Sequence, residues 1–224
     1  MKKRNEVLAI AKHNKQPKAR CAKHWEECFA KLVLEKVLPD RFFQLEIADK
    51  PDLQNTCASI GVEVTTAVGK AEKEKDHLFS LLVQKLGTPE QQRKSKERIR
   101  QLGGIYCEEG AMVSWVGYRD LAGIYSSLED KLKKLNGGGY QSFEKQAVFI
   151  TDNNTIQTNE LCAVHSELSR RQEPFHIRFD IVFLYFFGGR LIEFNMTSGE
   201  NQCYVVNDLV ALADEAYRIA HGEQ

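Results

Sequence analysis

The chain lacks long apolar runs. Nothing in its 224 residues approaches the roughly eighteen consecutive apolar positions that a membrane-spanning helix needs. The basic start, MKKRNEVLAIAKHNKQPKAR, has no apolar core of the kind that marks a secretory leader. The expectation is a cytoplasmic protein with no membrane partner. Paired cysteines are missing too. The six cysteines, at 21, 28, 57, 107, 162 and 203, form no CxxC pair, which argues against a structural zinc site and a disulfide framework. Cys21 and Cys28 flank His24, and free thiols on a helix are the simpler reading of that trio. Net charge is absent: 31 basic residues balance 31 acidic ones, so the chain is no globally basic nucleic-acid binder. No internal repeat is visible. No Lys-Ser/Thr follows the Gly-rich stretch NGGGY, so it reads as a helix stop and not a phosphate loop. No serine stands in a nucleophile-elbow context.

What charge there is lies unevenly. Lys2, Lys3, Arg4, Lys12, Lys15, Lys18 and Arg20 crowd the first 20 residues against Glu6 alone. A second basic run, QQRKSKERIR, carries Arg93, Lys94, Lys96, Arg98 and Arg100. Such patches can hold the phosphates of a polyanion even in a neutral chain, and they can equally be solvated faces.

Hydrophobic periodicity lays out the elements. Residues 20–38 read as a helix with Trp25, Phe29, Leu32 and Val33 on one stripe, ended by Leu38-Pro39. RFFQLEIAD reads as a strand or an extended segment. PDLQN and ASIGVEVTTAV read as two strands of a hairpin, turning near Gln54 to Cys57. A charged helix follows over 70–86, stopped by Gly87 and Pro89, and a basic one over 90–101. RDLAGIYSSLEDKLKKLN places Leu121, Ile124, Leu128, Leu132 and Leu135 on one stripe and stops at GGG. QAVFIT is almost wholly apolar, as a strand buried on both faces is. A helix over 156–171, two strands joined by Gly-Gly and a closing helix complete the chain. This order predicts an α/β domain, or an α+β one, with a mixed central sheet flanked by helices. We expect a single domain over 1–224, with a basic N-terminal arm at 1–19 and an insertion at 87–118.

The chemistry concentrates in DKPDLQNTCASIGVEVTTA. Asp52 and Glu63 fall on the two strands of the hairpin. By strand alternation, Glu63 faces away from Val62 and Val64, on the side of Thr65. A carboxylate within a strand forfeits apolar burial and needs a compensating partner. Two carboxylates sharing a site repel, and a hard divalent cation removes the conflict. Mg²⁺ or Mn²⁺, held by Asp52, Glu63 and the backbone carbonyl of Val64, would serve, and such an ion can activate water and neutralise charge on a phosphate. The bland alternative has Asp52 capping a turn and Glu63 exposed on a strand. A second carboxylate pair, Asp180 and Glu193, reads as facing solvent or partnered by Arg178 and Arg190.

The spacing Pro51-Asp52, then Glu63 in GVEVT, resembles the PD-(D/E)XK, or restriction-endonuclease-like, nuclease superfamily. The preceding helix, and the helix and apolar strand at 120–155, are similar to that fold's core. The resemblance implies a metal-dependent phosphodiesterase acting on DNA or another nucleic acid. Asp52 and Glu63 would bind the metal, and Glu46 would be an added acidic ligand. Where the family has lysine, two residues after the Glu, this chain has Thr65, which cannot carry positive charge. Another lysine must then arrive from outside the motif. Lys131 is the first choice, with Lys70 and Lys134 behind it. The carboxylates are expected to open to solvent. Thr65 keeps alive an alternative: a non-catalytic nucleic-acid- or protein-binding module of the same fold. A homodimer stays open.

Overall fold

The computed structural model describes residues 19–222, apart from 68, 84, 103, 108–110, 115–120, 154–155 and 187. The chain is mixed α/β. A seven-stranded sheet runs in the order β1 (Glu46–Ile47), β2 (Leu53–Asn55), β3 (Ile60–Thr66), β6 (Lys145–Asp152), β7 (Ile181–Phe186), β8 (Arg190–Asn195), β9 (Asn201–Val205). The first three strands pair antiparallel, β3, β6 and β7 run parallel, and β8 and β9 return antiparallel. Helix α1 (Ala19–Val37) and the closing helix α6 (Leu209–His221) cover one face. Helices α4 (Ala122–Asn136) and α5 (Leu161–Gln172) cover the other. The steps β3 to β6 and β6 to β7 cross the sheet in the same direction. Right-handed crossovers therefore put α4 and α5 on one face.

Strand alternation divides the two cores. Val62 and Val64 join Leu34, Phe42, Phe149 and Phe183 beneath α1. Val148 and Ile150 join Ile124, Leu128, Leu132 and Leu168 beneath α4 and α5. Strand β6 is buried on both sides after Lys145, as its unbroken apolar run requires. Trp25 stacks on Phe29 at 5.2 Å and donates its indole N–H to the Ala213 carbonyl at 3.2 Å, which ties α1 to α6. Burial, then the Glu27 charge, pushes the Cys28 thiol up to about 11, so it packs as a small apolar group.

Between β3 and α4 lie α2 (Lys70–Val83), α3 (Pro89–Gln101) and a separate two-stranded sheet of β4 (Gly104–Cys107) and β5 (Ala111–Ser114). Thr88 and Gln91 form a capping box at the start of α3. Gly104 lets β4 approach α3, since a Cβ there would stand 2.8 Å from Ile99 Cγ2.

Three sequence readings need correcting. RFFQLEIAD is not one strand: Pro39–Phe42 forms a helical turn, with Pro at its start where the missing N–H costs nothing, and only Glu46–Ile47 is extended. Strand β9 carries no alternating apolar signal, because its burial pattern is that of a half-exposed edge, and the sequence reading passed over it. Glu193 does not face Arg178 or Arg190. It pairs with Arg41 through two bonds of 2.8 and 2.9 Å, and Asp180 accepts the Gln146 N–H at 2.8 Å.

Candidate functional site

The hairpin register sets Leu53 opposite Val62, so Asp52, one residue before the strand, stands opposite Glu63. Glu63 lies on the α4 face, beside Val148 of β6. The Val64 N–H donates to Asp52 Oδ2 at 2.8 Å, where a backbone partner from β2 would otherwise be. In a strand the N–H and C=O of one residue point the same way. The Val64 carbonyl is thus directed to the Asp52 side as well.

Helix α4 delivers the cation. Its first turn meets the end of β3 at Gly123, where a Cβ would lie 2.3 Å from the Ala67 carbonyl oxygen, so only glycine fits. One turn on, Ser127 Oγ donates to the Thr66 carbonyl at 3.1 Å. From Gly123 to Lys131 the helix rises about 12 Å. From Ala67 back to Glu63 the strand covers about 13 Å. The two lengths match, and Lys131 arrives over Glu63. Its Nζ donates to Asp52 Oδ2 at 2.8 Å and to Glu63 Oε2. Among the lysines considered from sequence, Lys134 is exposed, and the side chain of Lys70 lies outside the described residues. Thr65 shares the Glu63 side of β3, is half-buried, and accepts from Thr151 Oγ1 through its carbonyl at 3.3 Å.

The site is closed, not open to solvent as expected. The side chains of Asp52, Glu63 and Lys131 retain 6%, 2% and 9% of their accessible surface. The ammonium explains how the acids can be buried: it compensates charge that water otherwise would. Burial most of all, and then the Asp52 charge, raises the Glu63 pKa against the pull of Lys131. Burial works against the Lys131 charge, but Glu63 and Asp52 outweigh it, and the lysine pKa ends raised. Two carboxylates face one ammonium, so the fully ionised triad carries one net negative charge. Glu63 Oε1 is buried without a hydrogen-bond partner.

Among the described residues no group of three or more His, Cys, Asp or Glu converges on a metal site. Glu46 is exposed on β1 opposite Gln54 and does not join the pair. The donors that do converge, two carboxylates and the Val64 carbonyl, are all oxygen. That set suits Mg²⁺ or Mn²⁺, and the orphaned Glu63 oxygen and excess negative charge fit a cation there.

The basic run lies along α3, and acids answer it. Arg93 pairs with Glu90, Arg98 with Glu74 of α2 at 2.7 Å, and Lys94 and Arg100 approach Glu90 and Glu97 at 3.7 and 3.8 Å. Lys96 is half-buried and also engaged. Residues 1–18 of the N-terminal basic arm lie outside the described residues, and Arg20 falls in α1. One neighbour of the site escaped sequence reasoning. Tyr140, in the stretch dismissed as a helix stop, stands by Glu63 and Asp52; its only signal in the sequence is an aromatic directly after three glycines.

Comparison with family models, curated proteins and solved structures finds no match to this chain. Among the described residues no helix is long and apolar enough to cross a membrane.

Proposed function

We propose that the chain is a metal-dependent phosphodiesterase of the restriction-endonuclease-like kind, cleaving DNA or another nucleic acid. One observation carries the reading: α4 brings the Lys131 ammonium to Asp52 and Glu63, supplying the charge that Thr65 lacks. The order of one helix, three antiparallel strands and, after the α2–β5 insertion, a crossover helix and a parallel strand supports it. Asp52, Glu63 and the Val64 carbonyl would hold Mg²⁺ or Mn²⁺. Such an ion would neutralise charge developing on a phosphate. Lys131 would stabilise the same charge and hold the attacking water by hydrogen bonding. The Val64 N–H fixes the Asp52 carboxylate so that it need not reorganise.

A second reading has its own support. The triad is buried, and the cations of α3 that would hold phosphates are matched by Glu74, Glu90 and Glu97. Both facts favour a non-catalytic module of the same fold. Plasmid and RNA cleavage with Mg²⁺ or Mn²⁺ separates the two. The enzyme reading expects cleavage that Lys131→Ala cuts by about 10²-fold or more, the scale of one positioned catalytic group. Mn²⁺ binding should be lost in Asp52→Ala. Intact nucleic acid with the wild-type chain leaves the module.

A further inference from the structure

The segment between α4 and β6 lies against the buried site. Gly138 and Gly139 have φ of 87° and 80°, in the left-handed region that favours glycine, and both are exposed with open space where a Cβ would go. They serve the turn and not a close approach. Beyond them, the Gln141 N–H donates to the Lys50 carbonyl at 3.2 Å, latching the segment onto the loop that precedes Asp52. Phe143 anchors the far end: it is buried, and its ring lies 2.9 Å from where a Gly61 Cβ would be. Tyr140 stands between turn and anchor. It is half-buried, packs on the α4 core, and sits under the charges of Glu63, Asp52 and exposed Asp49. It therefore bridges from the triad to the surface.

Resting on the reading of this triad as the working site, we propose that Tyr140 is its positioning residue, covering Lys131 and offering its hydroxyl to the Glu63 carboxylate. Glu63 Oε1 is the acceptor left open. Tyr140 is within hydrogen-bonding reach of that carboxylate, although no bond of good geometry is closed in this conformation. A phenol facing a carboxylate is the donor of the pair, since an ionised acid offers only acceptor atoms. It acts as a donor and not as a base.

The test uses the full chain, with Mn²⁺ alone and an amine-acylating reagent as probes. Mn²⁺ binding is followed by electron paramagnetic resonance against pH for wild type, Tyr140→Phe and Asp52→Ala. Acylation of Lys131 is timed by mass spectrometry for wild type, Tyr140→Phe and Tyr140→Ala, with thermal melts as a check on folding. Loss of the donor in Tyr140→Phe should move the acid limb of Mn²⁺ binding up by about one pH unit, the scale of a hydrogen bond to a charged group. Loss of the cover in Tyr140→Ala should speed Lys131 acylation roughly tenfold or more, with Tyr140→Phe near wild type. An unmoved acid limb together with unchanged acylation overturns the proposal. Wild-type Mn²⁺ binding that survives Asp52→Ala sinks the metal reading instead, and the acylation rates still decide whether Tyr140 covers the site.

Discussion

Two buried carboxylates on this sheet have opposite economies. Glu193, on β8, has both oxygens matched: Arg41 bonds Oε1 and Oε2, and the Tyr204 hydroxyl donates to Oε2 at 3.1 Å. One anion meets one cation. Glu63, on β3, shares a single ammonium with Asp52 and leaves an oxygen orphaned. The first arrangement is complete within the chain, and Arg41 Nη1, reaching both carboxylate oxygens, fixes the helical turn at Pro39–Phe42 to the sheet. The second is short of one positive charge, and its open oxygen has no donor closed on it. A folded chain tolerates such a deficit where something outside it, a cation or a substrate, completes the set. That asymmetry, more than burial itself, separates a structural ion pair from a candidate site.

The comparison breaks most visibly at the two cations. Lys131→Ala leaves two acids buried together and should cost about 3–5 kcal/mol of stability. Mn²⁺ should return part of the loss, up to about 2.7 kcal/mol at a hundredfold excess over its Kd. Arg41→Ala should cost about 1–3 kcal/mol, less because Arg41 is 37% exposed and Tyr204 still serves Glu193. Mn²⁺ should restore nothing there. Urea melts with and without the ion check both. Equal rescue of the two variants would erase the distinction.

Alkaline pH sharpens the same contrast. The Lys131 pKa is raised above its ordinary 10.5, so the folded chain holds that proton more tightly than the unfolded chain. The lysine's contribution is whole below 10.5 and is lost as pH climbs through the raised value. Lys131→Met lacks this dependence. Its stability gap from wild type should therefore narrow as pH rises past 10.5, read from urea midpoints. Glu63 carries the same pH sign, although here the charged form is the unfavourable one. Its raised pKa means that ionisation costs stability, so Glu63→Gln should gain on wild type as pH rises from 4.5 upward.

The smallest effect belongs to α3. Its ion pairs are exposed, and replacing Arg93, Arg98 and Arg100 by Ala should leave the melting temperature unchanged within error. The same triple variant should bind DNA more weakly at every sequence, with a flatter salt dependence, if this helix holds phosphates. An unchanged slope returns α3 to a self-neutralised surface.

Much of the fold was legible in the sequence because it is written in local period. The Leu128, Leu132 and Leu135 stripe marks α4, the unbroken QAVFIT marks a doubly covered strand, and alternation in GVEVT sends Glu63 away from Val62 and Val64. The hairpin spacing puts Asp52 opposite Glu63 through contacts only a few residues long. Lys131 was legible only as one of three candidate lysines, two flanking the α4 stripe and one just past β3. The tertiary structure chose it, because the close contact of Gly123 with Ala67 sets how far α4 slides along β3. Arg41 joins Glu193 across 152 residues, and no period encodes a partner at that distance. Closure of the site was likewise invisible: an acid in a strand looks solvent-facing until an ammonium from a crossover helix replaces the water. The sequence by itself determined which face each side chain takes, since backbone geometry fixes that residue by residue. Only the packed structure decided which faces meet, because that depends on the crossovers and on the few glycines that let one backbone touch another.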